Sequence, residues 1–305
     1  MNRIAATVAA LALSTSIAGA ASAAETMRCS HQLPPPHHIA KVIDRWAAEV
    51  EKLSGGEIDV QVFGADSLVK AKDNILSTAK GDIECAFSLN FQWGKTLPLM
   101  NVTLGPYTMS SIAAWKKWPT SEAAAFLEEK LSEKGVKNVA GDDLPKLFVG
   151  SLGTLGVLVA TVSMPGSEVY QALAAGVIDA AITDVAAAWS RKYYEVQDHM
   201  TVVPVLAAYV HGYVNPAWYA TLSDKSKAAL KQAGEEAAGW AIEASQEAAA
   251  AAPDQLAGKG VKVHVATDAE NAAFKAIMQP AYAEGFEKET GAEGKKLLDL
   301  IAKIQ

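Results

Sequence analysis

The side chains of this sequence that could do chemistry follow the predicted strands, and most of them are neutral polar groups. The candidate ligand contacts are His31, Gln32, Asp66, Asn90, Gln92, Trp93, Thr183, Asp184, Tyr209, His211 and Asn215. Amide, hydroxyl and imidazole groups bind small polar solutes by donating and accepting hydrogen bonds. No Ser/His/Asp set or carboxylate pair is evident, and "GSLGTLG" is neither a nucleotide fingerprint nor a nucleophile elbow. The pattern predicts a binding protein, not an enzyme, and no cofactor.

Several of these residues also have a structural interpretation. Asp184 precedes "VAAAW" and suits the N-cap of a helix there, and Asp66 precedes a predicted helix in the same way. As a ligand contact, Asp184 repels a carboxylate unless it is protonated or paired, so with Thr183 it suits hydroxyl or amine groups better than a bare acid. Trp93 either floors a binding site or packs within its lobe.

The histidines raise the alternative of a metal-binding protein. A zinc site needs three or four converging ligands. His31, His37 and His38 are close in sequence, but adjacent His37 and His38 would diverge if helical, and Pro34 to Pro36 fix them in a loop. We therefore predict no metal site, and a periplasmic metal-binding protein remains an alternative function.

The elements that position these residues begin with a parallel α/β lobe. A strand in "ETMRCSHQ" leads to a helix over residues 38–53, where Val42, Trp46 and Val50 recur at helical spacing before Gly55. "EIDVQVFG" alternates as a strand does, and a helix over 67–80 and a strand over 83–89 follow. Ligands of such sheets bind beyond the carboxyl ends of the strands.

The same helix–glycine–strand corner occurs a second time. "KGDIECAFS" and "AGVIDAAITD" both run from a helix through glycine, Gly81 or Gly176, into small apolar residues. The second copy predicts a helix over 165–175 and a strand over 177–183. Two related lobes then face each other across a cleft, and the polar ends of their strands line this cleft.

The rest of the chain predicts a crossover and long helices. Residues 202–223 resemble extended chain that crosses between lobes, and Ser223 and Asp224 begin an alanine-rich helix to about residue 251 that Pro253 ends. Two final helices are predicted over 267–290 and 292–304.

The N-terminus predicts export. Arg3, an apolar stretch and "ASA" at residues 21–23 match a signal peptide with cleavage before Ala24. The net charge of −7 argues against nucleic-acid binding, and no later stretch predicts insertion into the membrane. Cys29 and Cys85 lie in two predicted strands of the first lobe. They either pair, if those strands are neighbours, or are buried small hydrophobes.

Several stretches together resemble the extracytoplasmic solute-binding subunits of TRAP transporters. They are "MPGSEVYQALAAGVID", "RKYYEVQDHMT", "YVNPAWYATLSDKSKAAL", "WAAEVEKLSGGEIDVQVFGADSL" and "AKGDIECAFSLN". The resemblance implies a periplasmic-binding-protein-like α/β fold of two lobes with a long helix across both. It implies lobe I over residues 24–124 and about 212–250, and lobe II over about 125–211 and 251–305. It also implies capture of a small solute, most often an organic acid, and its delivery to two integral membrane subunits driven by a sodium gradient.

The sequence departs from the family where an arginine usually holds the acid. The interval "DDLPKLFVGSLGTLGVLVAT" contains no arginine and is roughly 20 residues shorter than the resemblance implies. Lys146 is the one cation there, and Phe148 takes the arginine's place in one alignment. Thr183 occupies the position of a family asparagine. A sensory protein that presents ligand to a receptor and a relative that has lost binding remain alternatives.

Overall fold

The computed structural model describes residues 24–109, 111–134, 137–138, 151–152 and 166–305. The helices are α1 His38–Ser54, α2 Asn74–Lys80, α3 Ile112–Lys117, α4 Glu122–Ser132, α5 Gly166–Ala174, α6 Val185–Ser190, α7 Pro216–Thr221, α8 Asp224–Ala257 and α9 Asp268–Ala302. The strands are β1 Glu25–His31, β2 Ile58–Phe63, β3 Cys85–Leu89, β4 Lys137–Asn138, β5 Ser151–Leu152, β6 His199–Val202, β7 Ala207–Ala208, β8 Val210–Val214 and β9 Lys262–Val265. The predicted signal peptide, and the interval without the family arginine apart from residues 151–152, lie outside these residues.

A five-stranded sheet in the order β2-β1-β3-β8-β4 forms the centre of the first lobe. β1 is parallel to β2 and β3, and β8 is antiparallel to β3. The carboxyl ends of β1 and β3 therefore lie at the same edge as the amino end of β8. Polar residues that follow β1 and β3 meet at this edge, as the predicted α/β lobe requires.

Helix α1 forms where the sequence predicts it because its apolar residues share one face. Val42, Trp46 and Val50 are buried on this face, and Gly55 ends the helix in the left-handed conformation at φ 64°. Trp46 packs edge-on against Phe87 of β3, with ring centroids 5.1 Å apart. This packing holds α1 against the sheet.

The long helix α8 joins two hydrophobic cores. Leu230 and Ala237 pack with Trp46 and the sheet of the first lobe. Near the other end, Ala252 and Leu256 pack with a separate core that includes Leu173, Val185, Ala188, Tyr193 and Val202. The fold is thus α/β with two lobes and a long helix across both, as predicted.

The two helix–glycine corners are confirmed, but the strand expected after the second is not present. Gly81 and Gly176 both adopt left-handed φ angles, 84° and 67°, which residues with a side chain disfavour. β3 follows the first corner, whereas residues 177–183 form no strand. Val177 is 73% exposed and Ile182 is 43% exposed. No strand in the described part of the chain pairs with this segment, so its backbone groups have no partner strand to bond.

Helix α2 begins later than the predicted residue 67. Ala65 and Asp66 both have left-handed φ angles, 53° and 60°. The Asp66 carboxylate accepts a hydrogen bond from the backbone N–H of Ala71 at 3.0 Å. This side-chain bond stabilises a loop where propensity favours a helix, and the helix starts at Asn74.

Two further boundaries differ because of tertiary contacts and capping. Pro253 does not end α8: the helix continues to Ala257, since burial of Leu256 in the second core holds its last turn. Within the predicted extended crossover, Asn215 caps a short helix, α7, by accepting from Trp218 N–H at 2.9 Å. The final pair of helices is confirmed. They form α9, and Gly291, with φ 65° and ψ −145°, separates the two.

Cys29 and Cys85 are register partners on the neighbouring strands β1 and β3. Both are fully buried free thiols, and burial raises the pKa of the Cys29 thiol well above its usual value. Their place in the sheet matches the interpretation as small buried hydrophobes.

Candidate functional site

A cavity of about 310 Å³ lies between the lobes at the carboxyl edge of β1 and β3. The first lobe contributes the end of β1 and the start of α1, and the second contributes the start of α5 and both ends of α6. The polar side chains on its wall belong to Gln32, His37, His38, Thr183, Asp184, Arg191 and Tyr193. Apolar groups such as Leu33, Phe91, Val169 and Val210 complete it. A mostly apolar wall with a few converging polar groups is typical of a small-molecule site.

A larger hollow of about 610 Å³ lies behind His38, between α1, α6 and α8. It does not face the carboxyl ends of the strands. The guanidinium of Arg45 in this hollow is stacked on Trp240, 3.6 Å from the ring centroid. The smaller cavity is therefore the candidate site.

The histidines on the first wall are held by the start of α1. His37 caps this helix, because its ring Nδ1 accepts a hydrogen bond from Ile39 N–H at 3.2 Å. The backbone N–H of His37 donates to Pro34 O at 2.9 Å. His38 stacks on His37 with ring centroids 4.5 Å apart, and its Nε2 lies 3.2 Å from Ser245 Oγ on α8. The proline-rich loop thus turns both rings toward the space between the lobes.

Two histidines near the site are neutral at physiological pH. Burial, together with repulsion from His37, lowers the pKa of both His31 and His38 to about 4. His31 is buried with its ring against Gly64, and its Nδ1 accepts from Leu33 N–H at 3.2 Å. The first wall therefore presents the neutral imidazole of His38.

Asp184 stands at the start of α6 on the opposite wall, and its predicted helix cap is confirmed. Its Oδ1 accepts from Ala186 N–H at 2.8 Å and Ala187 N–H at 3.0 Å, and its Oδ2 lies 3.8 Å from His37 Nε2. Burial opposes ionisation, but the interactions with His37, His38 and the helix N–H groups hold the pKa of Asp184 below its usual value. Asp184 is therefore an anion at neutral pH.

Arg191 follows the other end of α6 and supplies the positive charge of the cavity wall. Its guanidinium lies across the start of α5: a side-chain carbon added at Gly166 would be 2.9 Å from Arg191 Cζ. The amino end of a helix carries partial positive charge, so α5 and Arg191 together favour the binding of an anion there. Among the residues that the structure describes, no carboxylate forms an ion pair with Arg191.

The structure brings Gln32, Thr183 and Asp184 of the predicted contacts together on the cavity wall. His31 is buried and is not part of that wall. Asp66 is engaged in the loop before α2, where its carboxylate accepts from Ala71 N–H.

The predicted contacts after β3, which are Asn90, Gln92 and Trp93, do not lie on the cavity wall. The amide of Asn90 donates to Met100 O at 2.8 Å, and its oxygen accepts from Tyr209 N–H at 3.0 Å. Gln92 Oε1 accepts from Leu89 N–H at 2.8 Å. Trp93 and Tyr209 are fully buried in the core, so the packing interpretation of Trp93 is confirmed.

The crossover residues are divided between the two edges of the sheet. His211 is buried beside Trp93, with ring centroids 6.1 Å apart. Asn215 lies at the edge opposite the cavity, because β8 is antiparallel to β3; its amide donates to Thr78 O at 2.9 Å. Asn215 is therefore not beside the cavity, where the sequence predicts a contact with the solute.

Arg191 and the ligand-facing position of His37 are missing from the sequence-based site. The sequence contains a signal for Arg191: it lies seven residues after Asp184, which is two turns of the predicted α6. Residues with that spacing share one helix face, so Arg191 belongs on the same wall as Asp184.

Neither a metal site nor a membrane-spanning helix is found among the residues that the structure describes. No group of three or more His, Cys, Asp or Glu side chains in the described part of the chain converges as a metal site requires. Among the described helices, none has the length and apolar character needed to cross a bilayer.

Comparisons with known proteins identify the family. The model of "Bacterial extracellular solute-binding protein, family 7", DctP, matches residues 29–141 and 154–289. A solute-binding protein of Chromohalobacter salexigens is 26% identical, over 88% of this chain and 87% of its own. The C4-dicarboxylate-binding periplasmic protein DctP of Rhodobacter capsulatus is 27% identical, over 88% of each chain.

A solved structure supports the same fold. The TRAP periplasmic solute-binding protein of Chromohalobacter salexigens with bound d-glucuronate superposes with a TM-score of 0.80 at 24% identity, over 92% of this chain and all of its own. Members of the family are extracytoplasmic receptors that bind small solutes and work with membrane subunits. The chain belongs to family 7 of the bacterial extracellular solute-binding proteins and is the solute-binding subunit of a TRAP-type transporter.

Proposed function

We propose that this chain captures a small organic acid in the cavity between the lobes, with the solute carboxylate held by Arg191. The observation that carries the proposal is the guanidinium of Arg191 on the cavity wall beside the start of α5. A guanidinium matches a carboxylate with two parallel hydrogen bonds and stays charged at every relevant pH. Arg191 then takes the role that the resemblance assigns to an arginine in the interval 142–161.

The charge of Asp184 is compatible with an acidic solute. Its Oδ1 is occupied by two helix N–H groups, and its Oδ2 faces His37. Arg191 and Asp184 stand at opposite ends of α6, so a carboxylate at Arg191 need not approach Asp184. The related proteins bind acids by their names, a C4-dicarboxylate in one and d-glucuronate in the other.

Solute binding favours a closed arrangement of the lobes, because contacts from both walls are complete only when the lobes approach. The moving units follow the predicted division except at the end of α9: lobe I over residues 24–124 and about 212–250, and lobe II over about 125–211 and from 251 into α9. The separate cores on α8 support this division. Leu297 and Ile301 pack with Trp93 and Trp118, so we assign the end of α9 to lobe I.

The closed form delivers its solute to two integral membrane subunits. Before that, the chain is exported and residues 1–23 are removed as a signal peptide. Expression of the full chain in a bacterium, followed by mass spectrometry of the periplasmic product, tests the removal of residues 1–23. The expected N-terminal residue is Ala24.

A thermal-shift screen of the exported protein tests solute class. A ligand that binds only the folded state raises the melting temperature by mass action. We expect small organic acids to raise it, and amines, uncharged polyols and zinc to leave it unchanged. A folded protein that responds to no acid, or responds to amines alone, would overturn the proposed function.

A further inference from the structure

One donor and one acceptor face each other across the cavity. Nε2 of His37 belongs to the first lobe, and Oδ2 of Asp184 belongs to the second; the two atoms are 3.8 Å apart. This separation exceeds the length of a direct hydrogen bond, ~2.7–3.2 Å for N–H···O. Both residues line the cavity, so the pair lies where a solute would bind.

The local hydrogen bonds fix which atom donates and which accepts. His37 Nδ1 accepts from Ile39 N–H at 3.2 Å, so Nδ1 carries no proton and the ring proton of His37 is on Nε2. Oδ1 of Asp184 is occupied by Ala186 and Ala187 N–H, which leaves Oδ2 as the acceptor. The helix caps of α1 and α6 therefore orient an N–H donor toward a carboxylate oxygen.

We propose that His37 and Asp184 form a subsite for a hydroxyl group and that the solute is a hydroxy acid. A hydroxyl is the common solute group that accepts one hydrogen bond and donates another through a single atom. An ammonium cannot accept from His37 Nε2–H, and an ionised carboxylate cannot donate to Asp184. Two bonds of ~2.8 Å to one oxygen require the flanking atoms to move apart by about 1 Å, which a small change in lobe separation provides.

The same pair disfavours a second carboxylate. A dicarboxylate with one end on Arg191 would place its other charge toward the Asp184 anion, and like charges at short distance repel. This inference rests on the proposed function, because it takes the carboxylate of the solute to be bound at Arg191. It narrows the class from organic acids in general to hydroxy monocarboxylates.

Matched acids that differ only in hydroxylation test the subsite. Isothermal titration of the exported protein compares lactate with propionate, malate with succinate, and gluconate with hexanoate, so that the hydroxyl position relative to the carboxylate varies. We expect at least one hydroxylated acid to bind about 10-fold or more tightly than its partner, as a hydrogen bond to a charged group provides. We also expect gluconate or lactate to bind more tightly than succinate.

The variant Asp184→Asn separates the hydroxyl contact from the fold. Asparagine is an equally good N-cap, so α6 remains capped, and a melting curve checks this. The ratio of the two affinities, hydroxylated acid over deoxy partner, should fall by about 10-fold, while the deoxy partner, relieved of repulsion by the Asp184 anion, should bind no more weakly than to the wild type. The matched control is Asp179→Asn, an exposed acid outside the cavity wall, which should change neither affinity. His37→Asn, which also keeps a capping side chain, should repeat the effect of Asp184→Asn.

The outcomes separate the two proposals. If acids bind but hydroxylation makes no difference, or if Asp184→Asn weakens both partners equally, the hydroxyl subsite is wrong and the proposed function stands. If no acid binds to the folded wild-type protein, the proposed function itself fails.

Discussion

The two walls of the cavity differ in charge. The first-lobe wall, built on β1 and α1, presents Gln32 and the neutral ring of His38, whereas the second-lobe wall carries Asp184 and Arg191 at the two ends of α6. The first wall is anchored to a central sheet and a large core. The second rests on a smaller core at the far end of α8. We infer that the first lobe provides shape and the second provides charge selectivity.

This difference follows from where each wall obtains its polar groups. A buried strand end next to a helix start favours neutral side chains, because burial of an unpaired charge is costly. The short helix α6 instead offers N–H groups that stabilise the Asp184 anion, and its last turn leads into Arg191. Charge is therefore placed on the second lobe, at the ends of α6.

The largest test of this comparison removes the charge of the second wall. Arg191→Ala should weaken binding of every organic acid by about 100-fold, since it deletes two charge-assisted hydrogen bonds. Titration calorimetry measures the loss. The control is Lys192→Ala, an exposed neighbouring cation outside the cavity wall. Equal losses of affinity in the two variants would mean that the acid responds to the overall positive charge of this region and not to a contact with Arg191.

The neutral state of the first wall has a consequence for stability in acid. The pKa of His38 is lowered to about 4 in the folded chain against about 6.5 unfolded. The unfolded chain therefore binds more protons between these values, and stability must fall as the pH drops from about 6.5 to about 4. Each such histidine contributes a loss of about 2 kcal/mol between pH 7 and pH 5.

Denaturant unfolding across this pH range measures that loss. His38→Gln, which keeps a group able to bond Ser245, should make the pH dependence shallower by the contribution of one histidine. A wild-type stability that is constant from pH 7 to pH 4.5 would contradict a neutral first wall.

The smallest effect concerns shape. Phe91 lines the cavity and is 47% exposed, so Phe91→Ala should cost about 5-fold in affinity, or about 1 kcal/mol of apolar contact with the solute. Its melting temperature should not change. Leu76 on α2 is 56% exposed outside the cavity wall, and Leu76→Ala should affect neither quantity. A larger effect at Phe91 than at Arg191 would reverse the proposed roles of the two walls.

Local patterns in the sequence predict much of the first lobe. The periodic apolar face of α1, the alternation in β2 and the glycine corners reflect interactions between residues near each other in sequence. The cap at Asp184 is local in the same sense. Such features do not depend on the rest of the fold, so a single sequence is enough to place them.

The remaining features depend on contacts that are distant in sequence. The course of α8 beyond Pro253 depends on burial of Leu256 in the second core. The removal of Asn215 from the cavity edge depends on the antiparallel pairing of β8 with β3. The interior location of Asn90 depends on acceptors at Met100 and Thr103 and on a donor at Tyr209. Sequence spacing carries no record of these pairings.

The most direct test of the central claim is a crystal structure of the exported protein with the acid that gives the largest thermal shift. We expect its carboxylate within hydrogen-bond distance of the Arg191 guanidinium, and a solute hydroxyl between His37 Nε2 and Asp184 Oδ2. A carboxylate bound away from Arg191, or a solute in the hollow beside Lys41 and Arg45, would contradict the account.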